Sequence, residues 1–172
     1  KPEPPFDAES ETLRHLDELV WSAVGDKGSR RHSDSGTDLD EVLRQAARFP
    51  NVTGAVLDDF FRAPVAVGPA GRLAPGTVAA MQARLHAFPD RPLALWAVWY
   101  ASQIDWAVSD YLDFLDGITV WSFEGRELPR LGENLERWAQ KAPRQRRLAG
   151  LYLWNYGEGC PFSRHDMQTQ CE

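Results

Sequence analysis

Apolar residues in this chain follow two rhythms. Short, nearly continuous runs at Leu19 to Val24, Val52 to Leu57, Leu93 to Tyr100, Ile118 to Phe123 and Leu148 to Trp154 read as buried strands, each bounded by turn residues. Between them the apolar positions recur at helical spacing. Asp38 opens a stretch carrying Val42, Leu43, Ala46, Ala47 and Phe49, and Pro75 sits in the first turn of a segment running to Ala87. A short helix is predicted over Tyr111 to Leu115, and an amphipathic one over Leu128 to Ala142 with Leu131, Leu135, Trp138 and Ala139 on one side. Residues 1–11, proline-rich and acidic, are assigned no structure, leaving 12–172 as a single domain.

Apolar strands alternating with helices define the α/β class, with a parallel sheet covered by helices or closed into a barrel. The helix-to-strand links are short (Phe49-Pro50-Asn51, Asp116-Gly117), whereas two strand-to-helix links exceed ten residues. The elaborated loops therefore gather at the carboxyl ends of the strands, where open α/β sheets and barrels both build their sites. Five β/α units without a glycine-rich phosphate fingerprint after the first favour part of a (β/α)8 TIM barrel. A whole barrel takes about 250 residues, so the expectation is a partial or truncated one. Ser163 to Glu172 reads as the opening of a further helix.

Composition narrows the function classes. At 172 residues, 43% hydrophobic and 26% charged, the chain suits one ordinary globular domain. Its net charge is -6, and basic residues are scattered apart from Arg30-Arg31 and Arg144 to Arg147, so no basic face is expected to follow a nucleic-acid backbone. No apolar stretch approaches the roughly 18 residues that span a bilayer. The chain starts without a methionine or a signal peptide, so the true amino terminus is expected to lie outside it; compartment and oligomeric state stay open. Cys160 and Cys171 are too few for a disulfide framework or a zinc site, and the four histidines show no paired ligand spacing. Neither a resident metal nor another cofactor is expected.

The chemistry is concentrated at the strand ends. Val52 to Leu57 runs straight into Asp58-Asp59, the one strand end with two adjacent acids. Around it the other strand ends carry Trp21 and Asp26, Tyr100 and Gln103, Trp121 and Glu124, and Tyr152, Trp154 and Asn155. Aromatic rings mixed with carboxylates and amides suit a sugar, whose flat C–H faces stack on rings and whose hydroxyls pair with carboxylates and amides. Cleavage of a glycosidic bond needs two carboxyl groups about 5 to 9.5 Å apart. Neighbours in one strand point to opposite faces, so Asp58 and Asp59 make a poor couple with each other, and Glu124 is the expected second carboxylate.

A short internal echo lays Gly54-Ala55-Val56-Leu57-Asp58-Asp59-Phe60 on Gly150-Leu151-Tyr152-Leu153-Trp154-Asn155-Tyr156. It puts Asp58 in phase with Trp154 and Asp59 with Asn155. If Leu151 and Leu153 pack on helices, Gly150, Tyr152 and Trp154 face the interior, and Asp58 is the inward acid. Plainer roles compete: an Asp after a strand often holds its own turn, Glu124 precedes a turn glycine, and Trp96, Trp106 and Trp138 suit a core. An oxygen-ligand cation site at Asp26, Asp58 and Asp59 is a further alternative.

The segments Val20 to Asp26 (VWSAVGD), VTGAVLDDFF, ITVWSFEG and GLYLWNYGEGCPF together resemble a family of uncharacterised bacterial proteins of glycoside-hydrolase-like TIM-barrel type. The resemblance spans about Val20 to Glu172. It implies a sugar-processing barrel running from about its third strand to its seventh, with Asp58, Asp59 and Glu124 in the site. The family pattern favours an acid where this chain has Asn155, so that residue can bind a hydroxyl but cannot be a nucleophile. The expectation is thus a carbohydrate-active enzyme with Asp58 and Glu124 catalytic. Asp59, Asp26, Trp21, Tyr100, Gln103, Trp121, Tyr152, Trp154 and Asn155 are expected to contact substrate. The alternatives are a non-catalytic carbohydrate-binding barrel and a metal-dependent hydrolase.

Overall fold

The computed structural model describes residues 4–24, 38–62 and 70–171. Its centre is a parallel sheet of five strands in chain order: β1 (Leu19–Ser22), β2 (Val52–Leu57), β3 (Ala94–Tyr100), β4 (Gly117–Trp121) and β5 (Arg146–Gly150). Helices α2 (Asp38–Arg48), α3 (Pro75–His86), α4 (Ser109–Leu112) and α5 (Leu131–Lys141) occupy the connections, the arrangement the alternating pattern predicts for an α/β chain.

The two faces of the sheet differ. Trp21, Ala55, Leu57, Leu95, Ala97, Trp99, Ile118 and Val120 belong to the core cluster, joined by Val42 and Ala46 of α2, Val78 and Leu85 of α3 and Trp138 of α5. Their alternates, including Val20, Val56, Val98 and Thr119, line a cavity instead. Strand periodicity thus sends one set of side chains under the helices and the other into a concavity.

Several elements depart from the sequence expectation. Helix α1 (Asp7–Thr12) forms within the segment assigned no structure. Phe6, fully buried, stacks on Trp21 with ring centroids 4.5 Å apart, and its backbone N–H donates to Glu41 Oε1 at 3.0 Å. Burial would raise the Glu41 carboxyl, but bonds from Arg44, Gln45 and Phe6 outweigh it and hold the pKa down at about 2. One anchored aromatic and one carboxylate therefore order a stretch whose composition suggests a linker.

The first strand stops at Ser22, short of Val24, and the short helix lies at Ser109–Leu112. The stretch before α5 is a 3-10 turn at Gly125–Arg130, containing Pro129.

The largest correction concerns the fifth strand. It begins at Arg146 and ends at Gly150, not Trp154. Leu151 and Leu153, expected on helices, are 46% and 76% exposed. Their polypeptide has already left the ladder: Trp154–Asn155 (β6) pairs antiparallel with Cys160–Pro161 (β7) in a separate ribbon. Helix α6 (Arg164–Cys171) follows, where the sequence suggests a helix opening. It is tied back by Gln170, which accepts the Tyr152 N–H at 3.0 Å and donates to the Tyr152 carbonyl at 3.1 Å.

Candidate functional site

A cavity of about 500 Å3 opens on the face of the sheet away from the helices. Val20, Val56, Val98 and Thr119, from the strand bodies, make its floor; Asp58, Asp59, Tyr100, Trp121, Phe123, Tyr152 and Tyr156, at or beyond strand ends, make its wall. An apolar bed with polar groups converging at the carboxyl ends of parallel strands is a common form of ligand site.

The acidic pair is built by a turn rather than by strand alternation. Asp59 has φ 46°, in the left-handed region that Asp tolerates better than most residues, and Asp58 Oδ1 accepts the Asp59 N–H at 2.9 Å. Asp58 therefore holds its own turn, and the change of backbone direction brings both carboxylates to the cavity wall. Asp59 Oδ1 in turn accepts the Tyr100 hydroxyl at 2.9 Å, across from β2 to the end of β3.

Tyr100 and Tyr152 extend this contact. Burial, the neighbouring Tyr152 and the bond to Asp59 push the Tyr100 phenol well above its ordinary value. Burial pushes Tyr152 up to about 12, against a hydrogen bond with Tyr100 and alongside the charges of Tyr156, Asp58 and Asp59. Both phenols are therefore neutral at ordinary pH. Asp59, Tyr100 and Tyr152 form a connected polar line along the wall.

The aromatic rings are mutually supported. Trp121 and Tyr152 lie with centroids 4.7 Å apart, Phe123 stacks on Tyr156 at 5.0 Å, and Tyr100 meets Phe123 edge-on at 5.8 Å. Trp121 lies across Gly150, its partner in the β4–β5 register, so closely that a Cβ there would collide with the indole. The glycine is needed for this close approach. Among the described residues Trp121 Nε1 and Thr119 Oγ1 are buried without a hydrogen-bond partner, both on residues that line the cavity.

Of the residues expected in the site, Asp58, Asp59, Tyr100, Trp121 and Tyr152 come together in this lining. Trp21, Gln103, Trp154 and Asn155 are placed elsewhere. Trp21 is on the helix side, its Nε1 donating to Ser10 Oγ at 3.0 Å. Gln103 braces the end of β3: its Oε1 accepts the Tyr100 N–H at 3.1 Å and its backbone carbonyl the Trp99 indole at 3.0 Å. Trp154 belongs to the β6–β7 ribbon and is 43% exposed. Asn155 is buried, its Oδ1 accepting the Gly125 N–H at 3.2 Å and the Glu158 N–H at 3.3 Å. Asp26 lies outside the described residues.

Glu124 stands one residue beyond the cavity-lining Phe123 and is not itself in the lining. Its carboxylate pairs with Arg126, and a Cβ at Gly157 would lie 2.8 Å from its Cγ, so the side chain is seated against the loop after β6. Glu127 caps the same turn, accepting the Glu124 N–H at 3.5 Å; burial raises its carboxyl.

Sequence reasoning left Phe123, Tyr156 and the floor out of the assigned site. The floor was accessible from period two alone, since Val56, Val98 and Thr119 share the phase of Asp58, Tyr100 and Trp121. No comparable signal marks Tyr156, which reaches the cavity from the loop after β6. Among the described residues no group of three or more His, Cys, Asp and Glu is placed to hold a metal ion.

No family model matches the chain, and no curated protein matches it. Among solved structures it is similar to a β-glucuronidase from Ruminococcus gnavus in complex with N1-substituted uronic isofagomine, at TM-score 0.46 and 8% identity over 77% of this chain. The same enzyme in complex with D-glucuronic acid aligns at TM-score 0.47 and 8% identity, again over 77% of the chain. The chain spans about a quarter of the length of these structures, 24% and 25% respectively.

Proposed function

We propose that the protein is carbohydrate-active, a segment of a glycoside-hydrolase-like β/α barrel that binds a sugar chain across the concave face of its sheet. The observation that carries this reading is one cavity uniting Asp58 and Asp59 with five aromatic side chains at the carboxyl ends of parallel strands. Trp121, Phe123 and the tyrosines offer rings for the sugar's C–H faces. Asp59, already bonded to Tyr100, offers an oriented carboxylate to hydroxyls. In a hydrolytic cycle Asp58 would act on the glycosidic oxygen or the anomeric carbon, and Glu124, one residue beyond the lining, would have to leave Arg126 to serve as the second carboxylate.

The seating of Glu124 against Arg126 and Gly157 favours a second reading, a binding surface without hydrolysis. The two separate in one experiment: the protein is incubated with a panel of oligosaccharides, with release of reducing ends and binding both measured. Hydrolysis abolished by Asp58→Asn, at a loss of about a hundredfold or more, supports the enzyme. Binding without cleavage by the wild type supports the binding surface. Full cleavage by folded Asp58→Asn sinks the catalytic assignment, and no binding to any sugar sinks both.

A further inference from the structure

We propose that the cavity selects saccharides bearing a protonated amine, such as oligomers of glucosamine, over neutral sugars of the same shape, and rejects uronic acids. This rests on the reading of the cavity as a carbohydrate site. Two kinds of side chain in its lining attract a cation. Asp58 and Asp59 contribute carboxylates, and Tyr100, Trp121, Phe123, Tyr152 and Tyr156 contribute π faces whose quadrupoles favour an ammonium group. Among the described residues, no Lys, Arg or His shares the lining.

The geometry of Asp59 makes it the anchor. Tyr100 donates to Oδ1 at 2.9 Å, fixing the carboxylate plane, and Tyr152 is hydrogen-bonded to Tyr100 in turn. The second oxygen of Asp59 has no hydrogen bond among the described residues. A concave, partly dehydrated wall strengthens the attraction between such a carboxylate and a cation relative to water. An acidic sugar would instead place its carboxylate against the negative charge of Asp59, whereas a neutral sugar gains only stacking and hydroxyl contacts.

The test is isothermal titration at about pH 6, above the ordinary carboxylate range, with three probes of equal length: glucosamine tetramer, cellotetraose and tetraglucuronate. Expected is an affinity for the amino sugar about tenfold above cellotetraose, with no measurable binding of the acid. The preference should shrink as salt is raised. Asp59→Asn retains a residue that accepts φ 46°, so folding survives, and it should bring the two affinities together. Tyr100→Phe keeps the charge but frees the carboxylate plane, and should reduce the preference without abolishing it. Cellotetraose binding equal to or tighter than the amino sugar overturns this selectivity while leaving the carbohydrate reading intact. An unchanged preference in Asp59→Asn overturns the anchor, and failure of all three probes to bind overturns selectivity and carbohydrate reading together.

Discussion

The segments Gly54 to Phe60 and Gly150 to Tyr156 read alike as sequence and end in different places. Each has a glycine beside a neighbouring strand and then an alternation of aliphatic and larger residues. After Gly54 the chain stays in the ladder for three more residues, with Leu57 fully buried, and then turns at Asp58-Asp59 into the cavity. After Gly150 it leaves the ladder at once. Leu153 faces solvent, Trp154 enters a ribbon, and Asn155 ties loop backbone.

Neighbours account for the difference. β2 is flanked by β1 and β3 and its core-facing residues Ala55 and Leu57 are fully buried on the helix side, whereas β5 is an edge strand with only β4 beside it and is largely exposed. The same pattern therefore builds a core where partners exist on both sides and an exposed strand where they do not.

Substitutions at equivalent positions should separate the two segments. The largest contrast is between the leucines. Leu57→Ala should cost about 2 to 5 kcal/mol in denaturant unfolding, and Leu153→Ala should stay within about 0.5 kcal/mol. Equal costs would mean that the segment after Gly150 is as well covered as β2.

The glycines come next. A Cβ at Gly54 would collide with the backbone carbonyl of Ala94, which cannot move without the strand, while at Gly150 it would meet the Trp121 side chain, which can shift at the expense of its packing on Tyr152. Gly54→Ala should lower stability by about 3 kcal/mol, and Gly150→Ala by about 1 kcal/mol, with a change in tryptophan fluorescence confined to the second.

The asparagine is next in size. Asn155→Ala leaves the Gly125 and Glu158 N–H groups without their acceptor and should cost about 1 to 3 kcal/mol. Thermal unfolding of the variant checks this. A neutral result would return Asn155 to the candidate ligand contacts. Smallest in free energy is the pair of tryptophans: Trp121→Ala should weaken oligosaccharide binding by about tenfold, and Trp154→Ala should leave it unchanged.

Much of this was legible in the chain. The continuous apolar runs marked the first four strands and only residues 148–150 of the fifth, and β2 lies where its composition puts it, over Val52–Leu57. Asp58 and Asp59 were visible as acids at its end. The turn geometry was not: alternation predicts that one of them faces away, and a left-handed Asp59 brings both to the cavity. The end of β5 was hidden for a related reason. Leu151 and Leu153 continue the strand pattern, and only the absence of a next neighbour shows that it is unsupported. Trp21 and Gln103 were ambiguous because a buried indole and a ligand-facing one look the same in sequence, and the Ser10 and Phe61 partners that settle their roles are distant or in loops.

The central claim, that a sugar occupies the concave face at the Asp58-Asp59 end of the sheet, is tested most directly by the indole N–H resonances of the seven tryptophans during titration with an oligosaccharide. Trp121 lines the cavity, Trp21 lies on the helix side of the sheet and Trp154 is in the ribbon. The account predicts saturable shifts at Trp121 with Trp21 and Trp154 unmoved. Saturable shifts at Trp154 with Trp121 unmoved would contradict it and transfer the site to the ribbon.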